Sequence, residues 1–233
     1  MSFLINPYRF VTAGGGGDPY FSSVTLLLHG EGTNGSTTIT DSSSYAQTVT
    51  ASGNAQINTS QFKWGSASIN LDGSGDYLTI ADTASIDLGS GDWTIECWLR
   101  WNSISGFQTL YDHGLVASGG IVIQTGNGDG KWTVYTSGVL RVSTSASSPS
   151  TGQWYHYAFV QNGSLITIYQ DGVNVGSGTS SVALSSTVNA GIGNRVSNAA
   201  FGFNGWVDDV RITKGVARYT SNFTPPTAAF PDS

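Results

Sequence analysis

A chain of 233 residues with a net charge of −6 and charged side chains at only 10% of positions is neither a disordered segment nor a helical bundle, and it is too acidic for a nucleic-acid or anionic-membrane partner. Its 9 Lys and Arg form no basic cluster, and its single cysteine, Cys97, excludes an intrachain disulfide. The 31 glycines and 7 tryptophans point instead to an all-β protein coated in Ser, Thr, Asn and Gly.

The first stretch, SFLINPYRFV, is apolar and aromatic, and AGGGGDPY follows it as a glycine tether and turn. An apolar arm on a flexible tether is unfavourable in water. Phe3, Leu4, Ile5, Tyr8 and Phe10 are therefore expected to anchor residues 1–20 on a partner or a sister subunit, within a homo-oligomer or a larger assembly. No signal-peptide pattern opens the chain and no apolar run approaches transmembrane length, so synthesis in the cytoplasm is expected.

From Phe21 onward strands and turns are predicted. SVTLLLHGEG is an apolar strand ending at His29, and TTITDSSSYAQTVTASGNAQIN mixes β-branched residues with turn formers. SASINLDGSGDYLTIADT alternates around a DGSGD turn. In DWTIECWLRWN the two-residue period puts Trp93, Ile95, Cys97, Leu99 and Trp101 on one face, with Thr94, Glu96, Trp98 and Arg100 on the other. Cys97 reads as a small buried hydrophobe. GGIVIQTGNGDGKWTVYTSGVLRVST gives three short strands, and WYHYAFVQNGSLITIYQDGVNVGSG gives a meander with turns at Asn162-Gly163 and Asp171-Gly172. After a short strand at AGIGN comes the last long one, GWVDDVRI. Regular alternation there aligns Trp206, Asp208, Val210 and Ile212 on one face and Val207, Asp209 and Arg211 on the other, so the two carboxylates cannot act as a pair unless a bulge intervenes. Asp208 is expected to be buried and to accept hydrogen bonds from loop backbone or Trp and His donors, and Asp209 to pair with Arg211. The tail SNFTPPTAAFPDS, with three prolines, cannot be a central strand. Short strands at regular turns imply two packed antiparallel sheets spanning 21–222, between the arm of residues 1–20 and a Pro-rich tail of residues 223–233.

The motif order carries more than any single motif. Asp41 and Ser43; Gly65, Ala67, Asp72 and Gly73; Trp154, His156 and Ala158; Tyr169, Asp171 and Gly172; Ile192 and Gly193; and Phe203, Gly205, Asp208, Asp209, Val210, Arg211 and Ile212 follow one another along residues 24–222. This succession resembles the laminin-G-like, concanavalin A-like jelly rolls, in particular the branch similar to pentraxins. The opening MSFLINPYRF with its glycine tether also looks like the starts of tailed-phage virion proteins that carry such domains. The resemblance implies a two-sheet jelly roll in which His156 is structural, one ring nitrogen bonded to nearby backbone. It says far less about function, because this fold hosts lectins, adhesins, glycosidases and passive modules.

The chemical candidates are few. Glycoside hydrolysis requires paired carboxylates, and the two glutamates, Glu31 and Glu96, lack the spacing of the related β-glucanases, with Glu96 instead beside Arg100 on one strand face. No G-x-S-x-G elbow accompanies the three histidines. The pentraxin-type double calcium site would fall in loops 115–120 and 194–201, and neither holds an acid. No cofactor is required. A single structural Ca2+ on Asp41, Asp72 or Asp76 stays open, against a plain turn in which these side chains cap backbone amides. For sugar binding the candidates are Tyr111, Asp112 and His113 in one loop, Asn127 and Asp129 in a second, and Asn198, Phe201 and Phe203 in a third.

The expectation is a non-enzymatic phage virion protein, fastened by residues 1–20 to capsid or tail proteins and exposed to cell-surface polysaccharide. A decoration or tail-stabilising protein without ligand is the alternative. A glycoside hydrolase of the same fold is a second.

Overall fold

A computed structural model describes residues 17–115, 118–126, 128–144 and 149–233. The strands, in chain order, are β1 (Val24–Leu28), β2 (Thr38–Ile39), β3 (Val49–Ser52), β4 (Gln56–Asn58), β5 (Ser68–Asp72), β6 (Tyr77–Ile80), β7 (Trp93–Trp101), β8 (Thr109–His113), β9 (Ile121–Thr125), β10 (Trp132–Thr136), β11 (Val139–Ser143), β12 (Trp154–Asn162), β13 (Leu165–Gln170), β14 (Val173–Thr179), β15 (Ala190–Ile192) and β16 (Asn204–Lys214). They form two antiparallel eight-stranded sheets. The first runs β14-β13-β12-β7-β16-β5-β4, with β1 also on β16, and the second runs β11-β10-β9-β8-β15-β6-β3-β2.

Alternation explains the core between them. Trp93, Ile95, Cys97, Leu99 and Trp101 of β7 all enter it, facing Tyr111, Ile121, Ile123, Trp132 and Ile192 from the second sheet. Trp101 is the hub, its ring 5.4 Å from Phe203, 5.6 Å from Tyr157 and 5.9 Å from Trp132. Truncating such a fully buried aromatic costs about 3–5 kcal/mol.

The last strand departs from regular alternation. β16 pairs with β7 on one side, and on the other it changes partner from β5, along 204–207, to β1, along 210–213. A bulge lies between Asp208 and Arg211, where Asp209 adopts φ +50°. Asp is among the few side chains that tolerate this left-handed backbone. Val207 and Val210 consequently both point into the core. Asp208 and Asp209 then lie together on the outer side, where regular alternation would have parted them.

That outer side is covered by chain ends, so β7 is buried on both faces. Phe230 packs with Phe21, Val24 and Leu27, while Ala217, Tyr219 and Phe223 pack on Ala158, Val160 and Tyr169. Beneath them lies a buried charge network. Arg211 donates from Nε and Nη2 to Glu96 Oε1 (3.0 and 2.8 Å) and from Nη1 to Asp18 Oδ2 (3.0 Å). Arg218 grips both Asp18 oxygens, at 3.0 and 2.6 Å, and the Tyr219 hydroxyl donates to Glu96 Oε2 at 2.7 Å. Two carboxylates and two guanidiniums balance in charge, as burial demands.

Three sequence expectations change here. Arg211 pairs with Glu96 and Asp18, not with Asp209, because the bulge turns Asp209 toward His29 and the tail. Glu96 does not meet Arg100, whose guanidinium stacks 5.0 Å from the Trp206 ring. The His156 ring has no aligned backbone partner among the described residues; its Nε2 lies 3.2 Å from Glu96 Oε2, an electrostatic contact out of line for a well-formed hydrogen bond. The pairing of β12 with β7 sets this up, since His156 opposes Trp98 and Glu96 is its diagonal neighbour.

Candidate functional site

The long connection from β15 to β16 builds one wall of an open surface cleft. It begins at Gly193, whose φ of +89° and close approach to the Leu71 side chain leave no room for a Cβ. Asn194, fully buried, then caps the loop by accepting from the N–H groups of Arg195 and Phe201, both at 2.9 Å. Asp112 braces it from β8: Oδ2 accepts from Val196 N at 2.9 Å and Oδ1 from Gly114 N at 3.0 Å. Burial raises the Asp112 carboxyl above its usual range against these two donors.

This bracing presents Phe201 to solvent beside Phe107, their rings edge to face with centroids 5.7 Å apart. Phe107 is 42% exposed. The Arg195 guanidinium sits 4.3 Å from the Phe201 ring centroid and donates from Nη2 to Gln124 Oε1 at 2.5 Å. Arg195 Nε is buried and has no hydrogen-bond partner among the described residues. Burial lowers the Arg195 pKa, though the group stays cationic at neutral pH. With Leu115 and Tyr135 these residues line an open cleft of about 300 Å³. That volume is at the lower limit of small-ligand sites, roughly 300–1,000 Å³. Aromatic faces beside a fixed cation and an amide suit a ligand that offers both C–H surface and polar groups.

Of the residues singled out from sequence, Phe201 lines this cleft. Asp112 stands behind it as a brace. Asn198 is exposed on the same loop and accepts from Ala200 N at 3.3 Å. Asp129 accepts from Lys131 N at 3.0 Å, in a turn held to the neighbouring loop by Gly128 N–Gly106 O. Tyr111 and Phe203 are core residues, 1% and 0% exposed. His113 is buried, with Nε2 3.2 Å from Asp82 Oδ1. Asn127 lies outside the described residues, as do Phe3, Leu4, Ile5, Tyr8 and Phe10. Phe107, Gln124, Tyr135 and Arg195 were not anticipated. Gln124 and Tyr135 are the outward positions of two alternating strands, and that period was their available signal.

The three aspartates considered for calcium are engaged by amides. Asp41 accepts from Leu27 N, Ser43 N, Ser43 Oγ and Gln47 N, at 2.7–2.9 Å. Asp76 accepts from Asn54 N and Asp72 N, and Asp72 accepts from Ser74 N and Asn54 Nδ2. Among the described residues these carboxylates do not converge on one point.

A second cleft, of about 230 Å³, lies where the tail crosses β1 and is lined by His29, Glu31, Trp64, Asp209 and Phe230. His29 Nδ1 is 2.6 Å from Asp209 Oδ1, and Asp209 Oδ2 accepts from Phe230 N at 2.7 Å. The bond to Asp209 raises the His29 pKa. Asp208 Oδ2 accepts from the amides of Lys63 and Trp64, and burial pushes its carboxyl up to about 7. The adjacent carboxylates thus fasten a loop and the tail to β16. They do not face each other across an open groove.

A family model described as the concanavalin A-like lectin/glucanases superfamily matches residues 72–218. No curated protein is significantly similar in sequence. Several solved structures share the fold. Domain 4 of AbnA, a GH43 extracellular arabinanase from Geobacillus stearothermophilus, determined in complex with arabinotriose, aligns with TM-score 0.62 at 17% identity over 84% of this chain and 94% of that domain. The binding domain of Paraclostridial Mosquitocidal Protein 1 aligns with TM-score 0.65 at 16% identity, over 85% of this chain and 51% of the toxin domain. The binding domain of Botulinum Neurotoxin DC, in complex with SialylT, aligns with TM-score 0.61 at 15% identity, over 85% and 50%. The chain therefore spans about half the length of these two toxin domains.

Proposed function

The chain belongs to the concanavalin A-like lectin and glucanase superfamily, and from that premise we propose that it is a non-catalytic glycan-binding module fastened to a phage virion by residues 1–20. The observation that carries glycan binding is the Phe107–Phe201–Arg195–Gln124 cleft. Sugars present apolar C–H faces and hydroxyls together, and the cleft offers aromatic surface with a guanidinium and an amide at its side. Two structural neighbours are saccharide complexes by their own description, which weights the ligand class the same way.

The absence of catalysis is supported by what the glutamates do. Glu96 is sealed beneath Arg211 and Tyr219. Glu31 is occupied by Ser66 N at 2.9 Å and Ser66 Oγ at 2.7 Å. Neither is a free acid aimed across a sugar site. Virion attachment is supported by the apolar arm and its tether, and by the resemblance of the opening residues to phage virion proteins.

Glycan-array binding followed by titration of the best ligand tests the cleft. Phe107→Ala and Phe201→Ala are expected to weaken binding roughly thirtyfold each, about 2 kcal/mol, with unchanged thermal unfolding. An array without a binder, or binding indifferent to both changes, would sink the proposal and favour a ligand-free decoration role. Deleting residues 1–16, which spares Asp18, is expected to abolish incorporation into particles. Full incorporation would remove the tether.

A further inference from the structure

At one end of the second sheet, two acidic residues of the β6–β7 connection meet the last residue of β8. Asp82, Asp87 and His113 each place one ligand-type atom within 4.8 Å of the other two. His113 Nε2 is already 3.2 Å from Asp82 Oδ1. Two ligands at about 2.1 Å from a metal ion stand at most about 4.2 Å apart. Small rotations of the carboxylates close the set, and the Asp82 side chain, 30% exposed, is free to make one.

The surroundings look built. Asp87 is held from outside the cluster by Ser186 N on Oδ1 (2.9 Å) and Ser185 Oγ on Oδ2 (3.1 Å). The Asp82 backbone N–H donates to Asn189 Oδ1 at 3.2 Å. Such outer contacts orient metal ligands. An independent sign comes from Tyr111, two residues before His113 and on the same side of β8. Its side chain is 1% exposed, and its hydroxyl has no hydrogen-bond partner among the described residues. Leaving such a group unpaired costs about 1–3 kcal/mol. The Tyr111 ring also meets that of His113 edge to face, with centroids 6.4 Å apart.

We propose that Asp82, Asp87 and His113 bind a divalent cation of the zinc type, with an open position for a water molecule that the Tyr111 hydroxyl contacts. The donor set decides the metal class. Calcium and magnesium prefer all-oxygen sites, whereas one imidazole with two carboxylates suits zinc, and zinc binds such donors more tightly than manganese. Three protein ligands leave one tetrahedral position open. The ion joins the β6–β7 connection to β8 and, through Asp87, to the 185–186 segment. It does not depend on glycan binding.

The test uses the full chain, stripped with chelator and titrated separately with zinc, manganese and calcium chlorides. Calorimetry and thermal unfolding are followed, with cobalt substitution for a visible spectrum. One zinc per chain, a raised Tm and a cobalt spectrum of low coordination number are expected. His113→Gln and Asp82→Asn, the latter at a partly exposed position outside the core, should each weaken zinc binding roughly tenfold or more and bleach the cobalt bands. Tyr111→Phe should retain the ion with an altered cobalt spectrum. Absence of zinc binding, binding undiminished in both His113→Gln and Asp82→Asn, or calcium binding in preference to zinc would each overturn the assignment.

Discussion

Glu96→Gln is the sharpest probe of the network beneath the tail. The carboxylate is 0% exposed and accepts two bonds from Arg211 and one from Tyr219. Burial alone would raise its pKa, but Arg211, His156 and Arg218 outweigh it and hold the group far below the usual 4.5. Glutamine keeps the shape and one oxygen, yet it removes the charge that balances Arg211. Removing one partner of a buried pair costs about 3–5 kcal/mol. At ~2–4 °C per kcal/mol for a chain of this size, Tm should fall by about 6–20 °C. Urea unfolding followed by tryptophan fluorescence should show a lower midpoint with the slope preserved. The pH dependence has a definite sign. A depressed folded pKa lends stability above the unfolded value near 4.5 and loses it as pH falls below that. The wild type should therefore weaken steeply in acid and the variant less so. A variant within about 1 kcal/mol of wild type at pH 7, or one with the same acid slope, would refute the reasoning.

Asp208 should behave in the opposite sense. Burial raises its carboxyl from the ordinary 3.8 to about 7, so its contribution is greatest below 3.8 and is lost as pH rises through 7. Asp208→Asn keeps an oxygen for the Lys63 and Trp64 amides and should gain stability on wild type at pH 8 relative to pH 5; equal differences at the two pH values would contradict this. Cys97 lies in the core, and burial, with the Glu96 charge added, pushes its thiol well above the ordinary 9.0. It should resist thiol reagents in the native state and react only on unfolding, and rapid native labelling would show that the two faces of β7 are not sealed.

The sandwich was legible because β7 and its neighbours keep the pleat without interruption, so a two-residue period sorts inward from outward side chains. The same rule misplaced Asp208 and Asp209. A bulge is a backbone event, and its trace in sequence is slight: two successive aspartates, a residue type that tolerates positive φ, inside an apolar strand. The fate of Glu96 was also hidden, because alternation says which face a residue takes but not whether the tail will cover that face. Phe201 could be picked out as an aromatic residue in a polar loop. Gln124 and Tyr135 showed only their outward period, which does not say what they meet, and Phe107 and Arg195 showed no signal, since four separate segments supply the cleft. Their meeting follows from the order β10-β9-β8-β15 in the second sheet, which chain order does not predict.

The clasp around Asp18 has a mechanical consequence. Its carboxylate is held by Arg211 and Arg218, and its N–H donates to the Ser233 carbonyl at 2.7 Å. A pull delivered through Gly17 therefore meets two guanidiniums at once, before any strand can peel. Beyond them β1 lies antiparallel on β16 along residues 24–28, so further extension must next break that pairing. The described domain is thus braced at Asp18, where a load arriving from its N-terminal side is first met.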